Sequence, residues 1–437
     1  MYYVVPRFAD LFVEEVRRKR SEILRVAAGS ADLASRYREL VKGVWVEGVE
    51  ARNEFDKVYA VDSGSDEIEV AGGGAILVTR AVALEAGGRE LRKLRVDALF
   101  PKSVRDYDDF KRLLREHLEH EVALEAVDEG AGLVMLDGSL FGRMSHVIRE
   151  LNVEGREGFI LDYVETYGQL LSRAVRKGVI VAGVSKDSRS TVLREELLLS
   201  ELKRCLEGCP TGLASKVLEL WVRLRRRPSH VLEEVRRLVK EGLDPRIYEL
   251  FVEARNPVPD SKLLLLMNLE PGYTVPVKLT LERVQMGVIE VALTEEFRLM
   301  ALLGEIFEKV SDELGSRFAE KVERVLAALR SYPAVLTSYV IFSRGDDPVR
   351  VDIVVGREDL AAGSSRFVRS PPDSFIRVLR QLAFLYAGRM SYNVLLLEAD
   401  KRVRTTAETL DLYHKLAMKE LGELIVHSRG ERRYFIP

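Results

Sequence analysis

Two cysteines in a chain of 437 residues leave no disulfide framework to expect. Cys205 and Cys209 read as free thiols, and two thiolates alone do not complete a tetrahedral zinc site. No apolar run approaches the roughly 20 residues needed to cross a bilayer. GVIVAGV and KLLLLMNL have the length of core strands. The opening MYYVVPRFADLFVEEVRRKR lacks the basic-then-apolar order of a signal peptide, so a cytoplasmic chain with no membrane contact is expected. The sequence has no GxxxxGK[ST] phosphate loop, no HExxH zinc helix and no GxSxG nucleophile turn. It also lacks an excess of either charge: the net is -2, so any nucleic-acid contact must be local.

What is there is the balance of a globular protein, with 47% hydrophobic and 31% charged residues, enough to bury a large core in one elaborated domain or two to three. Residues 8–41 read as a long amphipathic helix. VYAVDSGSDE, GGGAILVTRAVAL and ELRKLRVDALFP then have the texture of three strands. Helical periodicity over 106–128 precedes the strand GLVMLDGSL; helix over 157–177 precedes the strand GVIVAGVSKD. Three strands fit an antiparallel meander, and the later ones, alternating with helices, fit parallel pairing. The expected fold is therefore α/β, a ribonuclease-H-like mixed sheet flanked by helices.

Helices with Arg and Glu faces over 193–256 look like an insertion. Residues 1–50 are then an N-terminal helical region, 51–192 the first part of the core, and 257–437 its second part with a C-terminal helix. Strands are expected near 263–280, at PAVLTSYVIFSR and PVRVDIVVG, and a long helix near 295–331. SYNVLLLEAD reads as the last core strand. Arg225, Arg226 and Arg227 read as a solvated helix end or a contact with DNA or a partner, and His117 and His120, which share a helix, as surface residues rather than a metal site.

Asp62 in VYAVDSGS and Asp137 in VMLDGS both stand where an apolar strand opens into small residues. Either aspartate alone fits a turn cap; two matching sites in one sheet point to metal or phosphate. On the helix, Leu114, Leu118, Glu121 and Glu125 fall within about 60° of one another, turning Glu121 inward and leaving Glu119 solvated. A charge facing the core needs a partner or a metal, although a buried salt bridge or a partly exposed helix edge would also account for Glu121. Strand alternation puts Tyr392, Val394, Leu396, Glu398 and Asp400 on one face, although a frayed strand end explains the same acids. Lys186 and Arg189, after a core strand, are candidates to hold the scissile strand, although a polar loop with ordinary surface charges explains each as well. Hard cations held by such carboxylates cut phosphodiesters by in-line displacement.

In that order, VYAVDSGS, the helix before VMLDGSL, VIVAGVSKDSRS and SYNVLLLEAD resemble the NurA family of archaeal DNA-end-processing nucleases. The resemblance implies a metal-dependent DNA nuclease, a 5'-3' exonuclease and single-strand endonuclease, acting in double-strand-break resection. It implies a homodimer, DNA and the hexameric translocase HerA as partners, and Mn2+ (or Mg2+), with two ions, as cofactor. On it, Asp62, Glu121 and Asp137 match the acidic positions and Tyr392 the tyrosine. Asp400, or Glu398 by a shift of two, stands where the family usually has histidine. An aspartate can bind metal through oxygen but cannot act as a neutral imidazole. Two other readings stay open: an actin-like or sugar-kinase-like ATPase using the DSGS and DGS turns, and a degenerate clamp or scaffold.

Overall fold

The computed structural model describes residues 8–23, 31–70, 74–100, 102–225, 227–280, 303–356 and 366–421. Along the chain, α1 spans Ala9–Arg18, α2 Ala31–Lys42 and β1 Trp45–Glu47. Then come β2 (Val58–Val70), β3 (Gly74–Glu85), β4 (Glu90–Leu99), α3 (Val104–Asp128), β5 (Leu133–Asp137), α4 (Leu140–Met144), α5 (Phe159–Lys177) and β6 (Ile180–Ser185). The helical stretch holds α6 (Val192–Cys205), α7 (Thr211–Arg223), α8 (Pro228–Lys240), α9 (Pro245–Ala254) and α10 (Asp260–Met267). After it lie β7 (Gly272–Thr274), β8 (Val277–Leu279), α11 (Glu308–Leu314), α12 (Ser316–Ser331), β9 (Ala334–Ile341), β10 (Val349–Val355), α13 (Asp373–Phe384), α14 (Val394–Val403) and α15 (Ala407–Leu421).

Three expectations change. The first long helix is interrupted at Lys19, where α1 ends, and 24–30 lie outside the described residues. KLLLLMNL belongs to helix α10, which ends at Asn268 in the left-handed conformation (φ 47°), so strand structure begins only at Gly272. SYNVLLLEAD is helix α14: the Asn393 side chain caps it by accepting from the Leu395 and Leu396 N–H groups, at 3.2 and 3.0 Å. The buried residues Leu395, Leu396, Ala399 and Val403 then follow helical, not alternating, spacing. Residues 295–302 and Arg226 lie outside the described residues.

The chain forms two compact units. The first comprises Met1–Gly48, Asp187–Val277 and Tyr339–Val349. It holds helices α6 to α10, and β1 pairs antiparallel with β7. Its buried Asp260 carboxylate accepts from the N–H groups of Leu193 and Arg194 at 2.9 and 3.0 Å, and from the Tyr339 hydroxyl at 3.0 Å. A side chain distant in sequence thus supplies the cap for α6. Cys205 and Cys209 are both free. Arg225 pairs with Glu195.

The second unit comprises Val49–Lys186, Lys278–Ser338 and Arg350–Pro437. Its strand order is β9-β10-β6-β5-β2-β3-β4. β2, β3 and β4 form the antiparallel meander, β2 pairs parallel with β5 and β5 with β6, and β10 runs antiparallel to β6. This mixed sheet flanked by helices is the ribonuclease-H-like arrangement. The central strand β5, LVMLD, is buried up to its last residue, as an apolar run covered on both faces should be. Helix α3 starts at Ser103, whose hydroxyl accepts from the Asp106 N–H at 3.3 Å, with Asp106 in the first turn. It packs on β2, β3 and β4 and also on α5, so more than one of its faces is covered.

Candidate active site

The register of β2 and β5 sets the site. Val61 pairs with Leu136, and that parallel ladder ends there. Asp62 and Asp137 are the next residue on each strand, at the carboxyl end of the parallel pair. Neighbouring strands lie about 4.8 Å apart. β2 itself does not turn at DSGS: it continues to Val70, paired with β3 throughout, so Asp62 sits within a long strand. The small residues serve close approach instead. A Cβ on Gly64 would stand 2.5 Å from the Val403 carbonyl oxygen, and one on Gly183 2.5 Å from the Gly138 oxygen. Gly64 therefore lets the end of α14 rest on β2, and Gly183 lets the turn after Asp137 close over β6.

Asp400, on α14, is brought near Asp62 by that packing. Burial pushes the Asp62 carboxyl up to about 7, with the charges of Glu119, Asp137 and Asp400 adding to the rise. The Ser63 N–H, donating to Asp62 Oδ1 at 2.8 Å, opposes it. Asp400 also pairs with Arg404 at 2.6 Å. Glu398 points elsewhere, to Lys401 and Arg402, so of the two acids on this helix Asp400 is the one that acts on Asp62.

The helix acids exchange places relative to the helical-wheel reading. Glu119 is buried, at 5% exposure, its Oε1 accepting from the Ser63 hydroxyl and its Oε2 from Arg143. Glu121 is partly exposed and pairs with Lys93 of β4 at 3.4 Å and His117 at 3.4 Å, which hold its carboxyl below the usual range. The wheel assumed a single buried face, whereas α3 is enclosed by both the sheet and α5. The same enclosure buries His117 and His120: His120 stacks on Tyr167 with ring centres 4.4 Å apart, and His117 meets the edge of Phe159.

Lys186 approaches Asp137 Oδ2 at 4.0 Å and stands 5.5 Å above the ring of the buried Tyr392. Arg189 is exposed and belongs to the first unit. Three residues that sequence reasoning passed over, Ser63, Arg143 and Asp352, hold the site together with Glu119, which it placed in solvent. The buried Asp352 of β10 accepts from the Ser139 hydroxyl at 2.7 Å and the Phe141 N–H at 3.2 Å, pinning the turn after Asp137. DSGS and DGS already contain the serines that mark these contacts; nothing local marks Asp352.

As donors, Asp62, Asp137 and Asp400 offer the hard oxygens that divalent cations prefer, and Asp62 is crowded by neighbouring acids in a buried place. That electrostatic fit is to a cation. Among the described residues, no group of three His, Cys, Asp or Glu side chains is arranged to hold a metal ion.

The NurA domain model matches residues 56–404. The chain belongs to the NurA family. Among solved structures, the NurA nuclease from Sulfolobus solfataricus is similar over 96% of this chain and 99% of its own, at 15% identity and a TM-score of 0.54. A further NurA structure matches over 94% and 97%, at 13% identity and TM-score 0.43. NurA bound to dAMP and manganese matches over 91% and 95%, at 13% and 0.40. At 15% identity, the likeness to the Sulfolobus solfataricus structure bears on fold alone. No curated protein matches the chain. Family membership supports a NurA-type nuclease fold for the matched residues. No described helix is long and apolar enough to cross a membrane.

Proposed function

We propose that this chain is a divalent-metal-dependent DNA nuclease whose reacting centre is the acid cluster of Asp62, Asp137, Asp400 and Glu119. The observation that carries the reading is the β2–β5 register, which sets Asp62 and Asp137 side by side at the end of the parallel ladder inside a NurA-type fold; burial and the neighbouring acids, which raise the Asp62 carboxyl, accord with it. Asp62, Asp137 and Asp400 would hold the ion, manganese or magnesium, through oxygen. When bound, it supplies Lewis acidity to the scissile phosphate and the attacking water. Glu119 replaces Glu121 in this reading, since Glu121 is engaged with Lys93 and His117.

The remaining residues orient and neutralise. Lys186, half-exposed beside Asp137, can donate to a phosphate oxygen of the scissile strand. The Tyr392 ring beneath it limits where that ammonium can sit, and a base or sugar can rest beside it. Arg143 keeps the Glu119 charge compensated in a buried place. The Gly64 and Gly183 contacts hold Asp400 and the Asp137 turn close to β2 and β6.

Family membership supports the finer parts of the proposal: 5'-3' exonuclease and single-strand endonuclease action, end resection with a HerA-type translocase, and a homodimer. Exposed Phe8, Leu11 and Phe12 on and beside α1 offer an apolar face of the kind a second copy can cover. The test is cleavage of end-labelled single- and double-stranded DNA with manganese, magnesium or EDTA, by wild type, Asp62→Ala and Asp137→Ala. Metal-dependent cutting lost in both folded variants is the expected result. No cutting by wild type with any metal, even with the translocase present, would overturn the reading.

A further inference from the structure

Arg143 lies in the first residues after the DGS turn, on the short helix α4, and it is 5% exposed. Its guanidinium reaches three groups at once. One arm donates to Glu119 Oε2 and, at 2.8 Å, to the main-chain oxygen of Asp137. The other meets His120 Nε2 at 3.1 Å. Burial and the Arg143 charge keep His120 neutral, so its ring nitrogen can accept that bond. His120 is itself stacked on Tyr167, whose hydroxyl donates to the Leu140 oxygen at 3.0 Å, returning the network to α4. A planar fork with fixed donor directions suits such a junction, and a lysine could not make all three contacts.

The consequence concerns Glu119. Both of its oxygens are occupied, one by Ser63 and one by Arg143, while Asp62 is next to Ser63 in sequence and near Glu119 in charge. We propose that Arg143 is a positioning residue: it ties Glu119 to the Asp137 main chain and restrains that carboxylate from closing onto a cation held by Asp62 and Asp137. This rests on the nuclease reading above. Arg143 also brings a permanent positive charge to the cluster, which lowers its attraction for added cations while fixing the spacing of its acids.

Opposed effects on binding and rate follow, which a merely structural role does not produce. Arg143→Met should bind Mn2+ roughly tenfold more tightly, measured by the electron paramagnetic resonance signal of free Mn2+, because a buried positive charge is gone and Glu119 is released. Its single-turnover cutting rate should fall on the order of 100-fold, because the acids lose their fixed geometry. Adding Glu119→Gln to Arg143→Met should abolish the tighter binding. That double variant removes both buried charges and serves as a folded reference. Arg143→Lys keeps the charge without the fork; it should lose rate while its KM for DNA stays that of wild type. Binding and rate both unchanged, or both weakened, in folded Arg143→Lys and Arg143→Met would overturn the positioning role. Wild type that neither binds Mn2+ nor cuts DNA would instead remove the nuclease reading, and this inference with it.

Discussion

Asp62 and Asp137 stand side by side at the point where the parallel ladder between β2 and β5 ends, one residue beyond the Val61–Leu136 pair. Strand ends of this kind are where open α/β sheets gather their functional groups. Here the position places two carboxylates together with Asp400 and Glu119 close enough to act on Asp62.

Such crowding costs stability in the metal-free protein. Burial and like charge both disfavour the Asp62 anion, so Asp62→Asn removes an unfavourable charge and can keep the Ser63 N–H bond to Oδ1. We expect the metal-free variant to be more stable at about pH 8 by on the order of 2 kcal/mol, and to cut DNA at least ~1,000-fold more slowly. Urea unfolding and a cleavage assay on one preparation test both halves. A less stable variant would contradict this account of the cluster.

Glu119 and Glu121 should part company on mutation. Glu119→Ala leaves the buried Arg143 without its carboxylate, at a cost of about 3–5 kcal/mol, and should abolish cutting. Glu121→Ala breaks partly exposed pairs with Lys93 and His117, worth about 1 kcal/mol or less, and should keep cutting within about threefold of wild type. Thermal melts and cleavage rates of the two variants give the comparison, and equal losses in both would restore Glu121 to the site.

Where one physical pattern dominates, the sequence was readable. The β-branched runs of β2 to β4, the buried LVMLD strand and the alternation of later strands with helices were legible as a mixed sheet. Asp62, Asp137 and Asp400 stood out as candidates because the first two each close an apolar run and the third closes SYNVLLLEAD. Glu119 was not, because a wheel assumes one buried face and α3 has neighbours on two sides. α14 was misread as a strand because LLLEAD alternates as well as it turns; the Asn393 cap, bonded to the next turn of backbone, decides for helix. Arg143 and Asp352 act through contacts with residues far away in sequence, which no local pattern encodes.

Gly64→Ala tests how Asp400 is delivered. The added Cβ would lie 2.5 Å from the Val403 main-chain oxygen, which also accepts from Arg80 Nε at 2.6 Å. That oxygen belongs to the end of α14 and cannot yield alone, so the helix must shift. The expected cost is about 1–3 kcal/mol, with cutting reduced more than in a surface control. Activity at the wild-type level with an unchanged melting temperature would show that α14 has slack at this contact.

A separate pH effect on stability, in the acid range, should come from Glu116, behind the site. Burial works to raise its carboxyl, but the His146 hydrogen bond at 2.8 Å, the Arg143 charge and the Tyr163 hydroxyl at 2.5 Å hold it down to about 2, against an ordinary value of 4.5. A carboxylate depressed in the folded state contributes fully above its unfolded value, here about 4.5, and loses that contribution as the pH falls toward about 2. The shift corresponds to roughly 3 kcal/mol. Wild type should therefore lose stability steeply below about pH 4.5, and Glu116→Gln should lose less over the same interval while starting lower at neutral pH. Urea midpoints for both proteins across that interval measure the difference in slope. Parallel curves would mean that the His146 and Tyr163 contacts do not hold Glu116 ionised, and the acid sensitivity would have to be sought in another carboxylate.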